Sequence, residues 1–192
     1  MLLCDIELKE AIDSGELVFA PELPALAIQA ASVDLTLNNV FWRPNPNNSP
    51  GIDFIVNVDE ARALDYADEE TADEIILEPG EFILGETAEG VSLSDGLCGL
   101  IEGKSGRARH GLIVHCTAPH VAPGWGMNPP DAPEEPKIAQ PLRIMLEIVN
   151  LSPTRLRLRA GTGIAQLMVV RTGRPAAAGY SGIHARDGTN AT

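Results

Sequence analysis

The chain has 192 residues, 44% of them apolar, and a formal net charge of −13. That length suits one domain with a substantial core. So acidic a surface repels nucleic acid and argues against a DNA- or RNA-binding role, and apolar runs no longer than a strand exclude a membrane-spanning helix.

The first residues, Met1-Leu2-Leu3-Cys4-Asp5, have neither the basic start nor the long apolar stretch of a leader peptide. Asp5 is placed to cap a short helix running to about Ser14, with Ile6, Leu8 and Ile12 as apolar positions and Gly15 as its stop. Ser32 to Leu37 alternates like a strand, Asn38-Asn39 reads as a turn, and Val40-Phe41-Trp42 follows. Residues 43–51 read as a loop, and Ile52 to Val58 as a further strand. Residues 59–75 are acidic and Ala-rich, which predicts an exposed helix or loop, either a solvated face or a charged partner surface.

From residue 75 the pattern becomes short strands separated by Gly or Pro: Ile75–Leu77, Glu81–Gly85, Gly90–Leu93, Leu97–Glu102, Leu112–Thr117, Leu142–Asn150, Arg155–Arg159 and Ile164–Val170. Many short strands at this spacing predict a mainly β sandwich or barrel. Residues 126–141 hold five prolines and predict an extended loop. The expected organisation is one domain over 1–171 and a mobile, Gly-rich tail over 172–192. Cys4, Cys98 and Cys116 are widely spaced, which fits reduced thiols and a cytoplasmic location.

Two segments carry candidate chemistry. Gly103 to Ala118 is a glycine-flanked polar turn holding Lys104, Ser105, Gly106, Arg107 and Arg109, and it feeds directly into a strand. Three of the 14 cations fall within residues 104–109, a local reversal of the global sign. The turn is read equally as a polyphosphate cradle and as a basic surface turn. It is not a Walker A loop, which needs Gly where this chain has Cys98. In Leu142–Val149, alternation turns Leu142, Ile144, Leu146 and Ile148 to one face and Arg143, Met145, Glu147 and Val149 to the other. Glu147 alone is read either as an exposed strand carboxylate or as a catalytic one.

Taken in order, these segments resemble the dCTP deaminase and dUTPase family, and most closely its dCTP deaminase branch. The carrying motifs are Ser105-x-x-x-Arg109, Thr117-Ala118, Pro123-Gly124-Trp125 and Leu146-Glu147-Ile148-Val149-Asn150. Weaker matches are Ala31 to Leu35, Pro79 to Gly85 and Leu156 to Leu167. The resemblance implies a distorted double-sheet barrel of the dUTPase type with a short N-terminal helix. It further implies a homotrimer with sites between subunits, and hydrolytic deamination of dCTP to dUTP and ammonia.

In that scheme Glu147 is general base and then general acid, Ser105 holds the water, Arg109 orients that region and contacts phosphate, and the Ala118 carbonyl accepts from the water. Lys104, Gly106, Arg107, Trp125, Met145, Leu146 and Tyr180 would bind the nucleotide, and the tail would close over it. His115 also matches a family histidine, with a structural role as the alternative, as a core or intersubunit role is for Trp125. Zinc-dependent deamination needs His-x-Glu and Pro-Cys-x-x-Cys segments that this chain lacks. Mg²⁺ is expected to enter with the triphosphate, held by phosphate oxygens and water.

The chain departs from the family at four places. Ala122 stands where the family has a sugar-contacting aspartate, which in dUTPases activates water; Gly106 replaces a serine; the Pro-rich loop looks inserted; and Gly179 to Ile183 lacks the tail's lysine and glutamine. These leave two alternatives open: a pyrophosphatase acting on dUTP or another nucleoside triphosphate, and a catalytically silent nucleotide-binding trimer.

Overall fold

The computed structural model describes residues 1–48, 55–56, 58, 62–127 and 139–177. It is mainly β. Helix α1 (Asp5–Asp13) opens the chain, one residue earlier than a cap at Asp5 implies: Asp5 is the first helical residue, and Cys4 stands at the cap. The Cys4 backbone N–H donates to Glu7 Oε2 at 2.9 Å. Leu8 and Ala11 face the core, whereas Ile6 is exposed. Among the described residues, no helix is long and apolar enough to cross a membrane.

The strands are β1 (Leu17–Ala20), β2 (Val33–Pro44), β3 (Ala67–Thr71), β4 (Glu74–Leu77), β5 (Phe82–Leu93), β6 (Leu97–Gly103), β7 (Leu112–Ile113), β8 (His120–Val121), β9 (Leu142–Asn150), β10 (Leu156–Arg159) and β11 (Gly163–Arg171). A single helical turn, α2 (Ser105–Ala108), lies between β6 and β7. All pairings of these strands are antiparallel.

The main sheet runs β7-β9-β5-β2-β11-β6-β8, with β1 added on β5 and β3 on β2, while β10 and β4 form a separate pair. Strand β2 joins two curled halves. Its start, Val33 to Thr36, pairs with β11, and its later residues pair with β5 and β3. Phe41, Leu35, Leu37, Ile83, Leu146 and Ile148 are fully buried between the halves. Each such side chain contributes about 1.5–3 kcal/mol of burial free energy.

Several expected boundaries move. Asn38-Asn39 is not a turn: β2 runs straight through it. Glu81–Gly85 and Gly90–Leu93 are not separate strands but the two ends of β5. The reason is shared. The β2–β5 register shifts between Leu37 and Phe41, and the β5–β9 register shifts between Glu86 and Gly90. Such irregularities hold polar residues inside a continuous strand. Here Glu89 accepts from the Thr36 N–H at 2.8 Å and the Thr36 hydroxyl at 2.7 Å.

The acidic run is not a helix or plain loop. It contains a 3₁₀ turn at Ala63–Tyr66, then β3 and the start of β4. Acidic side chains of β3 reach back to β2: Trp42 Nε1 donates to Glu69 Oε2 at 3.0 Å, and Arg43 Nε to Glu70 Oε2 at 3.3 Å. Pairing partners, rather than intrinsic propensity, decide such an edge strand.

The strand expected over Leu112–Thr117 stops at Ile113, because the chain leaves the sheet there to line a cavity. Ile55, Val56 and Val58 are not in a strand; most of the remainder of that expected strand, residues 128–138 of the Pro-rich loop and the tail from residue 178 lie outside the described residues.

Candidate active site

A cavity of about 400 Å³ opens over the outer face of β9. Strand alternation builds one wall. Leu142, Ile144, Leu146, Ile148 and Asn150 are buried on one side, and Arg143, Met145, Glu147 and Val149 are partly exposed on the other. Arg143, Met145 and Glu147 line the cavity.

The segment leaving β7 supplies a second wall, with His115 and Ala118. It is tied to β9 at the candidate base: the Cys116 N–H donates to Glu147 Oε2 at 3.4 Å, and the Cys116 thiol lies 3.9 Å from the Glu147 carbonyl oxygen. Burial pushes the Cys116 thiol pKa up, and the adjacent Glu147 carboxylate pushes it further. His115 Nε2 lies 3.4 Å from Glu102 Oε2, and its buried Nδ1 has no partner among the described residues.

The Ala122–Trp125 turn supplies a third wall. The Trp125 N–H donates to the Ala122 carbonyl at 3.2 Å, the Leu93 N–H to the Trp125 carbonyl at 2.8 Å, and Trp125 Nε1 to the Leu142 carbonyl at 3.4 Å. Gly126 then passes so close to β5 that a Cβ would stand 2.5 Å from the Val91 carbonyl oxygen. The indole is therefore fixed against the cavity from both strands.

Of the sequence-nominated residues, Glu147, Ala118, Trp125 and Met145 meet at this cavity. Leu146 does not: it is fully buried on the core face of β9. Tyr180 lies outside the described residues. Lys104, Ser105, Gly106, Arg107 and Arg109 are not among the cavity-lining residues. They sit on and around α2, where Lys104 Nζ lies 2.5 Å from Asp34 Oδ1 and Arg107 Nε donates to the Gly163 carbonyl at 3.3 Å. Ser105 and Arg109 are exposed. A side chain at position 106 would meet nothing within 4 Å, so its glycine answers no steric demand.

Three charged lining residues, Arg62, Glu86 and Arg143, escaped the sequence reading. Glu86 on β5 and Arg143 on β9 form an ion pair, Nη1 to Oε1 at 3.2 Å, and Glu86 is 2% exposed. Arg143 stands in an alternating strand, where a charge reads as solvent-facing, and Glu86 falls between two of the expected strands. The available signal was the cross-strand register, which places Glu86 opposite Met145, and that follows only once the β5–β9 pairing is known.

Residues 2–172 match the family described as dCTP deaminase-like. The chain is 34% identical over 187 residues to a dCTP deaminase of Psychromonas ingrahamii, covering 94% of this chain and 89% of that protein. It is 34% identical over 181 residues to a dUMP-forming dCTP deaminase of Corynebacterium efficiens, covering 94% and 84%. The structure resembles 2′-deoxycytidine 5′-triphosphate deaminase from Agrobacterium tumefaciens with a TM-score of 0.60 at 19% identity, a likeness of fold over 88% of this chain. This chain spans 47% of the length of that one. By the extent of the family match and the identity to these relatives, the chain belongs to the dCTP deaminase-like family.

Proposed function

We propose that this protein is a zinc-independent deaminase that converts dCTP and water to dUTP and ammonia. The observation that carries the reading is Glu147, a carboxylate on the cavity wall, steadied by the Cys116 N–H and facing the same space as Ala118 and Trp125. The relatives named dCTP deaminase supply the substrate class.

Glu147 takes a proton from a water whose oxygen bonds to C4 of the cytosine. The Ala118 carbonyl accepts the water's other hydrogen bond. Glu147 gives that proton to N3, then takes the remaining proton from the new C4 hydroxyl and passes it to the exocyclic amine; C4=O forms as the C4–N bond breaks, and ammonia departs.

Ser105 and Arg109, exposed and away from the cavity of their own chain, serve the Glu147 of a neighbouring subunit. That arrangement gives a homotrimer with sites at subunit boundaries. Lys104 and Arg107 on the same turn, with Mg²⁺ carried on the phosphate oxygens, offset the triphosphate charge that a chain of net charge −13 would otherwise repel, and the Gly106 backbone N–H donates to the phosphate. Residues 172–192, with Tyr180, form a tail beyond a single domain and close over the nucleotide. The enzyme works in the cytoplasm.

The dUMP-forming relatives favour a second reading, in which pyrophosphate is released after deamination. Ala122, a methyl where a carboxylate would activate water, weighs against it. Purified protein with dCTP and Mg²⁺ tests both. Ammonia with dUTP supports the first reading, dUMP with pyrophosphate the second, and nucleotide bound without product overturns both. Glu147→Gln is expected to abolish turnover while leaving the melting temperature unchanged.

A further inference from the structure

Four residues along β9 from Glu147, the cavity holds the Glu86–Arg143 pair, which the deamination step does not use. Glu86 also accepts from Asn38 Nδ2 at 2.6 Å. Apolar residues of the same volume would fill this site at least as stably, because two ions must be stripped of water to form the pair. Stability alone is thus a poor reason for its presence.

Arg143, Met145 and Glu147 share one strand face. Positions 143 and 147 are about 13 Å apart along an extended strand. Side chains reaching in from the two ends leave room between them for a nucleoside. With the base at Glu147, the sugar lies toward Arg143.

The charge balance says which group Arg143 would meet. Glu86 cancels its charge locally, and a phosphate would face the Glu86 carboxylate as well as the guanidinium. A neutral hydroxyl suits the pair better. The guanidinium has five N–H donors, Glu86 occupies Nη1, and about a fifth of the Arg143 side chain remains exposed. The turn at Ala122-Pro123-Gly124 offers no polar side chain to compete for that hydroxyl.

We propose that Arg143, held in place by Glu86 and Asn38, is a specificity-determining residue that donates to a sugar hydroxyl of the bound nucleotide. The proposal rests on the base lying at Glu147, as argued above.

The test compares CTP, dCTP and 2′,3′-dideoxy-CTP, by calorimetric affinity and by ammonia release. The proteins are the unmodified chain, Arg143→Lys and the double variant Glu86→Met/Arg143→Met. The unmodified protein is expected to favour a hydroxyl-bearing nucleotide over the dideoxy form by about ten- to hundredfold, the range of a hydrogen bond from a charged donor.

In the double variant that ratio should fall to near one. Arg143→Lys, which keeps the charge but loses the planar fork, should fall between, and it carries the readout should the double variant fail to fold. Loss on going from dCTP to the dideoxy form assigns the 3′-hydroxyl, and loss on going from CTP to dCTP the 2′-hydroxyl. A ratio near one in the unmodified protein, an unchanged ratio in the variants, or no binding of any of the three would overturn the proposal. Failure of the deaminase reading looks different: the affinity ratio persists and no ammonia appears.

Discussion

At Glu147 the carboxylate and a thiol report on each other. The Cys116 thiol is held above its ordinary pKa first by burial and then by the Glu147 charge. The sign of the coupling follows: a raised thiol pKa leaves less thiolate at a given pH, and thiolate is the reactive form. Glu147→Gln removes the charge, lowers the thiol pKa and raises the thiolate fraction. Alkylation of Cys116 by iodoacetamide near pH 8, followed by mass spectrometry of its peptide, should therefore run faster in Glu147→Gln. An unchanged rate would mean that the carboxylate does not face the Cys116 backbone as described. Alternation along Leu142–Val149 was enough to turn Glu147 away from the core, and Ala118 and Trp125 were legible as motif positions. Arg143 was legible only as a face, because its partner Glu86 comes from a strand 57 positions away in sequence.

Among the elements, β2 and β5 explain most of what the sequence hid. Asn38-Asn39 and the Gly90 region have turn composition, yet each lies inside a twelve-residue strand. Buried side chains take over where the backbone ladder slips. Glu89, 6% exposed, takes both Thr36 donors, and the Thr87 hydroxyl donates to the Glu89 carbonyl at 2.7 Å while accepting from the Ile144 N–H at 3.0 Å. Glu89→Ala leaves the Thr36 N–H and hydroxyl without their partner in a partly buried site, a loss of about 1–3 kcal/mol. At about 2–4 °C per kcal/mol for a protein of this size, thermal unfolding should shift down by several degrees. A melting temperature within one degree of the parent's would mean that Glu89 is not bridging the strands (about 0.5 kcal/mol at most). Strands β4, β6, β9, β10 and β11 were found nearly to their ends, because each has a single buried face and ends at a Gly, a Pro or a polar turn. The short β1 and β8, with four and two residues, are too brief to carry a period.

At the scale of the whole molecule, the question is how one chain with net charge −13 gathers a triphosphate. Its basic turn lies outside the cavity that holds Glu147. Gly111, at φ +82°, carries the chain from that turn back to the sheet, where a Cβ would press within 2.9 Å of the Ser152 nitrogen, so the path leaving α2 is rigidly set. Ser105 is not among the residues lining its own chain's cavity, and the proposed homotrimer would bring it to a neighbour's. Subunit mixing tests this directly. Glu147→Gln and Ser105→Ala should each be inactive alone. Denatured together in equal amounts and refolded, they should regain activity at about a quarter of the sites, because in a ring of head-to-tail contacts each site draws Glu147 from one chain and Ser105 from the next. Sedimentation of the mixture should show the trimer. A trimer that stays inactive on mixing would mean that each chain builds its site alone. Turnover by the Ser105→Ala chain at the parent's rate would remove the basic turn from the chemistry and leave the cavity residues to account for it.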